Sequence, residues 1–294
     1  MICFTIGSDD PQSDEAKLPS TCLLLKAGDD SLIPILSYLS IVNICRLDTA
    51  LTNAAARVNW LRILRRTNHR TINNHKHSNK SIIWLVERGI SPEYLEIDGT
   101  INISNGMNGI VFLGLNISSL RSITFCQCKN DDEDILSIAH GCPNLREIRL
   151  YDCCNITGAI MVALGRCCHQ LNFIDVGNCN NIRDGGLTAF ADACCNVIDA
   201  GNLLEVGDDS ALRGISLAYC TRITDIGISA LGGSCPLLRC IVLTRCENIT
   251  DISALLRDCP LLSKIHLDDC PNITLDYLSV LRTDHPHVYI SGTD

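Results

Sequence analysis

An internal repeat in the second half of the chain is the sequence feature that most limits how it can fold. The frame Leu-x-x-Ile-x-Leu-x-x-Cys, in which x is any residue, returns about every 26 residues. Copies run over 120–128, 145–153, 171–179, 212–220, 238–246 and 262–270, and weaker copies begin at Tyr94, Val197 and Val288. A unit this short cannot bury its own apolar face, so neighbouring units must stack into a solenoid.

Each unit predicts one strand followed by one helix. In LREIRL (145–150) apolar and other residues alternate, as in a half-buried strand. In ITDIGISALGGSC (223–235) Thr224 or Asp225 can cap a helix, and Ile228 and Leu231 recur at helical spacing. Nine such units predict an α/β fold, in which a curved parallel sheet carries helices on its convex side.

The step from Val197 to Leu212 is only 15 residues long, shorter than every other step of the repeat. Those residues have room for a strand and a tight loop but not for a three-turn helix. We therefore expect the convex helix to be missing there and the inner face to be shallow and accessible. The expected partner site lies beside this break, with small residues on its floor and polar residues on its rim: Gly201, Gly214, Ser216, Asp175, Asp199 and Tyr219.

Many of the 19 cysteines fall at fixed places in the repeat. Six follow the strand, namely Cys128, Cys153, Cys179, Cys220, Cys246 and Cys270, and five precede it by three residues, namely Cys142, Cys168, Cys194, Cys235 and Cys259. Small, weakly polar thiols suit such crowded turns. A zinc site would need paired Cys-x-x-Cys knuckles, which the sequence lacks. We therefore expect buried structural thiols, with no metal and no cofactor.

The full residue pattern of a unit is seen in the stretch CENITDISALLRDCPLLSKIHLDDCPNIT (246–274). It resembles the cysteine-containing leucine-rich repeat, and the resemblance extends over roughly residues 90 to 294. The resemblance implies a leucine-rich-repeat solenoid. We place the solenoid at residues 81–294.

Residues 28–65 do not follow the repeat. Leu32, Ile35, Leu36 and Leu39 lie at i, i+3, i+4 and i+7, which predicts an amphipathic helix. The apolar pattern continues in two further short helical segments. A helical unit of this size has a very small core and needs a neighbour or a partner for stability.

The run ILSYLSIVNICRLDTA (35–50) resembles an F-box, the helical module by which substrate receptors dock on the Skp-type adaptor of cullin–RING ubiquitin ligases. The resemblance implies adaptor binding by the apolar side chains Leu32, Ile35, Leu36, Leu39, Ile44 and Leu47. A different interpretation accounts for the same leucines. They could form a helical cap that seals the apolar end of the first repeat.

Two further segments complete the predicted organisation. Residues 1–27 are expected to form a disordered tail, and the basic, histidine-containing stretch 66–80 an exposed polar linker. The formal net charge of −9 and an aromatic content of 4% argue against a nucleic-acid partner. The absence of a secretory signal and of a membrane-length apolar run leads us to expect a cytoplasmic or nuclear protein without membrane attachment.

The concave face of the sheet is the candidate binding surface. The third and fifth residues of each frame point away from the core, and the turn that follows adds more outward side chains. The candidate partner-binding residues are Glu147, Arg149, Tyr151, Phe173, Asp175, Asp199, Gly214, Ser216, Tyr219, Arg245, Lys264 and His266. A mixed surface with aromatic and arginine side chains suits protein recognition. No catalytic motif accompanies it, and we expect the protein not to be an enzyme.

The two resemblances together imply a substrate-recognition subunit of an SCF-type cullin–RING ubiquitin ligase. The helical segment would hold the adaptor, the repeats would hold a protein substrate, and catalysis would belong to other subunits. The chain would act as a monomer within that complex. The alternative is a non-catalytic leucine-rich-repeat scaffold or inhibitor that binds a protein partner without ubiquitin.

Overall fold

The fold is a leucine-rich-repeat-like solenoid, as the repeat predicts. The computed structural model describes residues 60, 71–74, 84, 87–89, 92–98, 117–127, 131–199 and 211–292. Over these residues nine parallel strands form one sheet whose strand order is the chain order, and helices alternate with the strands from β3 onward. The α/β class and the repeat architecture are therefore confirmed.

The strands are short and pair in register. They are β1 (Thr71–Asn74), β2 (Tyr94–Asp98), β3 (Ser122–Cys126), β4 (Glu147–Tyr151), β5 (Phe173–Asp175), β6 (Gly214–Ser216), β7 (Cys240–Val242), β8 (Lys264–His266) and β9 (Tyr289–Ser291). Each pairs with the next so that equivalent repeat positions are neighbours, as in Ile148↔Ile174 and Ile174↔Ile215. A side chain at one repeat position therefore lies beside the same position of the next unit.

Six helices follow strands β3 to β8 in the described residues: α1 (Asp132–Gly141), α2 (Gly158–Cys167), α3 (Asp184–Asp199), α4 (Asp225–Ser234), α5 (Ser253–Asp258) and α6 (Leu275–Asp284). Threonine starts several of them. The side chains of Thr157 and Thr224 accept hydrogen bonds from the backbone N–H groups of Ala159 and Ile226. The capped helix expected from residues 223–235 is thus confirmed.

The core repeats with the sequence. In β4 the inward residues Ile148 and Leu150 have no exposed surface, and neither has Leu145 just before the strand. The same positions are buried in the following units, and all belong to one continuous apolar cluster. Trp60, which is helical and 3% exposed, belongs to that cluster as well. Side chains of neighbouring units therefore complete one another's burial.

The unit after β5 differs from the expectation. Strand β5 pairs directly with β6, and residues Asp184–Asp199 form one helix of 16 residues. The weak frame at Val197 is therefore the end of a helix, and the prediction of a short unit without its convex helix is wrong. Leu187, Phe190 and Ala191 recur at helical spacing and are buried, so helical packing overrides the weak strand pattern.

The predicted polar linker also contains a strand. Residues Thr71–Asn74 form β1, which pairs with β2 from Thr71↔Tyr94 to Asn74↔Ile97. The sheet therefore begins before residue 81. The edge of β2 offers backbone hydrogen-bond partners to this stretch, although the polar composition of the stretch does not predict a strand. The rest of 66–80, the tail 1–27 and, apart from Trp60, the helical segment 28–65 lie outside the described residues.

Candidate partner-binding face

The in-register strands align the outward side chains in rows across the sheet. One row contains Tyr94, Ser122, Glu147, Phe173, Gly214, Cys240, Lys264 and Tyr289. A second row contains Glu96, Thr124, Arg149, Asp175, Ser216, Val242, His266 and Ser291. These rows form the concave face, and most of the predicted partner-binding residues occupy them.

The side chains of β4 and β5 interlock on this face. The Arg149 guanidinium lies 5.2 Å from the centre of the Phe173 ring and forms an ion pair with Glu147. The Ser122 hydroxyl donates to Glu147 over 3.1 Å. Tyr151 stands next to them with 41% of its surface exposed. The result is a fixed patch that presents an aromatic ring and a guanidinium to solvent.

At strand β6 the face of the sheet is covered rather than open to solvent. A Cβ atom at Gly214 would lie 2.7 Å from Cδ2 of Phe173, so that ring lies directly against the glycine. Gly214 is buried and Ser216 is only 8% exposed. The expectation of an accessible inner face at this point is therefore wrong, because the neighbouring Phe173 fills the space that a side chain at 214 would occupy.

A third row of side chains lies in the turn that follows each strand. The residue before each repeat cysteine has positive φ, and these residues are Gln127, Asp152, Asn178, Tyr219, Arg245 and Asp269. The backbone N–H groups of the first five continue the ladder between units, as in Tyr219 N–H to the Thr244 carbonyl at 2.8 Å. Bulky residues rarely adopt the left-handed conformation, yet φ is 62° at Tyr219 and 58° at Arg245.

Tyr219 and Arg245 also contact each other through their side chains. The Arg245 guanidinium lies 5.3 Å from the Tyr219 ring centre, and its Nε donates to Asp269 over 2.9 Å. The hydrogen bond to Asp269 raises the pKa of Arg245. Arg245 is thus held on both sides while its side chain remains 54% exposed.

The turn cysteines are hydrogen-bond donors within the solenoid. The thiol of Cys179 donates to the Leu150 carbonyl over 2.8 Å, and that of Cys246 to the Leu217 carbonyl over 3.2 Å. Burial raises the pKa of Cys246 to about 12. Buried thiols after the strand are confirmed for Cys153, Cys179, Cys220, Cys246 and Cys270, whereas Cys128 lies outside the described residues.

The cysteines expected before the strand are buried at Cys142, Cys168, Cys235 and Cys259. Cys194 is an exception, because it lies within helix α3 instead of at a turn. In the part of the chain that the structure describes, no group of three or more His, Cys, Asp or Glu side chains is arranged to hold a metal ion.

His266, Asp268 and Ser291 form a polar cluster at the last two strands. The Ser291 hydroxyl donates to Asp268 over 2.6 Å and lies 3.3 Å from Nδ1 of His266, and the same nitrogen is 3.9 Å from the carboxylate. A nucleophilic triad needs the hydroxyl and the carboxylate on opposite ring nitrogens. The three side chains therefore tie β8 to β9 rather than activate a serine.

The structure divides the predicted residues into three groups. On the concave face or in its turn row lie Glu147, Arg149, Tyr151, Phe173, Asp175, Gly214, Ser216, Tyr219, Arg245, Lys264 and His266. Asp199 ends helix α3, so its predicted place on a strand is wrong, and Gly201 lies outside the described residues. The predicted adaptor-binding residues Leu32, Ile35, Leu36, Leu39, Ile44 and Leu47 also lie outside them.

Sequence reasoning missed two exposed aromatic residues at the ends of the face. Tyr94 is 40% exposed on β2, and Tyr289 is 60% exposed on β9, where its ring centre lies 5.9 Å from that of His266. Both belong to weak copies of the frame, in which the outward positions are hard to assign. The register of the strands identifies them.

Comparison with known proteins yields likenesses of structure at low sequence identity. No protein-family model matches the chain. The chain resembles a chain of the crystal structure of the Rad7 and Elc1 complex in yeast, with 15% identity over 90% of this chain and 91% of that chain and a TM-score of 0.39. It also resembles the structure of TLR13 with ssRNA13, with 15% identity over 69% of this chain and 24% of that chain and a TM-score of 0.44. Among the described helices, none combines the length and the apolar composition that a membrane span requires.

Proposed function

We propose that this protein is the substrate-recognition subunit of an SCF-type cullin–RING ubiquitin ligase, in which the repeats bind a protein substrate and the N-terminal helical segment binds the Skp-type adaptor. The observation that carries the recognition half is the set of exposed aromatic and arginine side chains on the sheet face and its turn row. Tyr151, Arg149 and Arg245 are all exposed there. Such residues supply much of the binding energy in protein interfaces.

Pre-ordering of the arginines supports this assignment. Arg149 is held by Glu147 and Phe173, and Arg245 by Tyr219 and Asp269. Long side chains normally lose rotamer freedom on binding, at a cost of about 0.5–1.5 kcal/mol each. Side chains that are already held lose less, so the face is prepared for a partner.

The adaptor half of the proposal rests on the resemblance of residues 35–50 to an F-box. In such a subunit the chain performs no chemistry of its own. It holds a substrate lysine near the ubiquitin carrier, and the local concentration of the reacting groups rises accordingly.

Binding to purified Skp-type adaptor tests the adaptor half. We expect the full chain to form a stable complex on size-exclusion chromatography. The double variant Leu36→Asp/Leu39→Asp should lose it, because a leucine side chain that the adaptor covers would contribute about 1.5–3 kcal/mol. Tyr151→Ala, which changes only the sheet face, is the matched control and should keep the adaptor. A wild-type chain that fails to bind the adaptor would favour the scaffold or inhibitor function instead.

Affinity capture with face variants tests the recognition half. Proteins bound by the wild type and lost by both Tyr151→Ala and Arg245→Ala are the expected partners, with affinity reduced about tenfold or more. Ile226 is 70% exposed on helix α4, away from the face, so Ile226→Ala is the control and should retain them. Partners lost only by the Ile226 variant would place recognition on the helical side.

A further inference from the structure

Arginine stands immediately before four of the strands. Arg121 precedes β3, Arg146 precedes β4, Arg213 precedes β6 and Arg239 precedes β7, while Asn172 has the same position before β5. Backbone hydrogen bonds join these residues from strand to strand, as in Arg146 N–H to the Arg121 carbonyl over 2.7 Å. We call the row of four arginines and Asn172 the arginine ladder.

The ladder lies along the edge at which the chain enters the strands. Neighbouring strands are about 4.8 Å apart, so the ladder spans about 19 Å. Arg121 and Arg239, at its two ends, are exposed, and Arg146 and Arg213 are half-buried. Because these side chains leave the backbone at equivalent positions, the edge presents a row of positive charge.

The opposite edge, where the chain leaves the strands, is mainly acidic. Residues 132–134 make the first turn of α1 wholly acidic, and Asp268 and Asp269 follow β8. Acids at a helix N-terminus and bases in its last turn complement the helix dipole. The dipole does not account for the ladder, because Arg146 and Arg239 each lie five residues beyond the end of the preceding helix.

The first neighbour of the ladder shows which group these arginines can pair with. Glu93 precedes β2 and lies beside Arg121, with its carboxylate 4.0 Å from the Arg121 Nε. A guanidinium presents a planar fork of N–H donors that fits a carboxylate. In a chain whose formal net charge is −9, a row of arginines attracts an acidic segment that the acidic surfaces repel.

We propose that the arginine ladder binds a segment rich in aspartate and glutamate on the protein that the repeats recognise. This inference rests on the proposed recognition function and gives the partner a chemical class. An extended chain advances about 3.4 Å per residue, so about six or seven residues cover the ladder. Carboxylates of this segment pair with Arg121 and Arg239 at the two ends, and the acidic edge opposite repels the segment.

Fluorescence anisotropy of a labelled oligoglutamate of about seven residues tests the inference on the full chain. The wild type should bind this probe and not bind oligoglutamine of the same length. Binding should weaken severalfold between about 50 and 300 mM salt, because exposed charges are screened. Arg121→Gln/Arg239→Gln removes the two exposed charges of the ladder and should raise the dissociation constant of oligoglutamate about tenfold.

A matched control separates the ladder from the total charge. Arg183 and Arg222 are exposed in the turns after β5 and β6, on the opposite edge, so Arg183→Gln/Arg222→Gln removes the same charge away from the ladder. It should bind oligoglutamate like the wild type. If the ladder double variant does not fold, Arg239→Gln alone should still weaken binding about threefold.

Three results would overturn the inference: a wild type that does not bind oligoglutamate, equal weakening in the two double variants, or tighter binding of a single-stranded RNA of the same length through the same arginines. The last result would indicate a nucleic-acid partner instead.

Affinity capture distinguishes a failure of the ladder from a failure of the proposed function. Partners that the wild type captures and Tyr151→Ala loses should also be lost by Arg121→Gln/Arg239→Gln. If the ladder variant retains them, the ladder inference is wrong and the recognition function stands. If the wild type binds oligoglutamate but captures no protein, the recognition function is wrong and the acid-binding ladder stands.

Discussion

At the scale of single residues, the turn cysteines show that a thiol at a repeated position can be structural rather than reactive. Each described turn thiol sits in the core and donates to a carbonyl of the preceding unit, for example Cys270 to Leu243 over 3.0 Å. An ionised thiolate could no longer donate this hydrogen bond, and its negative charge would be buried in the core. Burial accordingly raises the pKa of Cys142 and of Cys246 to about 12 from a usual 9.0.

These pKa values predict a loss of stability in alkaline solution. In the unfolded chain the thiols ionise near pH 9, whereas in the folded chain Cys246 stays protonated to about pH 12. The protonated Cys246 thiol contributes its full share to the free energy of unfolding below pH 9. That share is lost as pH rises toward 12, by up to about 1.4 kcal/mol per pH unit. Urea unfolding at pH 8 and pH 10 should show a smaller pH dependence in Cys246→Ala than in the wild type. The exposed Cys154 is the control, and Cys154→Ala should keep the wild-type dependence.

The left-handed turn row gives a second prediction for single residues. Gln127 has φ of 54°, and a non-glycine residue loses about 1–2 kcal/mol in that conformation. Gln127→Gly should therefore raise the free energy of unfolding by about 0.5–1 kcal/mol, after the entropy of the more flexible unfolded chain is subtracted. Asp152→Gly should give no such gain, because Asp152 accepts a hydrogen bond from Asn178 over 2.8 Å. A destabilised Gln127→Gly would contradict the assignment of strain to this row.

At the scale of helices and strands, a threonine–aspartate clamp joins successive units. Asp132, at the start of α1, accepts from the Thr157 N–H over 2.7 Å and from its hydroxyl over 2.6 Å. Asp184 does the same for Thr224 over 2.8 and 2.7 Å. At these two places the first residue of one helix therefore holds the capping threonine of the next helix. In the sequence Thr157 and Thr224 each follow an isoleucine and suggest only a local helix cap.

Between α2 and α3 glycines replace the clamp with close packing. Gly158 occupies the position at which other units have aspartate. A Cβ atom on Gly186 would lie only 2.4 Å from the Cα of Gly158. Gly186→Ala should therefore destabilise the protein by about 1–3 kcal/mol, because backbone must move. At Gly185 a Cβ meets nothing within 4 Å, and Gly185→Ala should be neutral or stabilise by up to about 1 kcal/mol. Thermal or urea unfolding of the pair checks this, and equal effects would argue against the close contact.

At the scale of the whole molecule, one apolar core runs from the N-terminal side into the repeats. Trp60 lies within the predicted helical segment, and it belongs to the same buried cluster as Leu95, Ile117 and Leu120. This packing means that at least residue 60 is continuous with the solenoid rather than part of a separate body.

A shared core predicts shared stability. Trp60→Ala should lower the free energy of unfolding of the whole chain by about 3–5 kcal/mol, measured by far-ultraviolet circular dichroism, because the cavity opens at the end of the repeat core. Ile226→Ala, at an exposed helical site, should change it by less than about 0.5 kcal/mol. If the repeats unfold at the same denaturant concentration with and without Trp60, the segment is energetically independent of the solenoid.

Features that depend only on nearby residues are predictable from the amino-acid sequence. The frame positions of Leu145, Ile148 and Leu150 predict a strand with a buried face, and Thr224 predicts a helix cap, because periodicity and capping are local. Repetition then extends the prediction to a parallel sheet and to the outward rows that contain Arg149 and Tyr151. This much of the fold and of the candidate face needed no tertiary information.

Features that depend on which distant segment a residue packs against are visible only in the folded structure. The weak frame at Val197 fits a strand, but β5 pairs with β6 and leaves these residues to helix α3. Thr71–Asn74 look polar and yet form a strand, because β2 offers an edge. Phe173 closes the floor at Gly214, and Arg282 reaches the carbonyl of Ile290. Strand pairing and side-chain contacts join residues far apart in the chain, so no local pattern of apolar and polar residues can specify them.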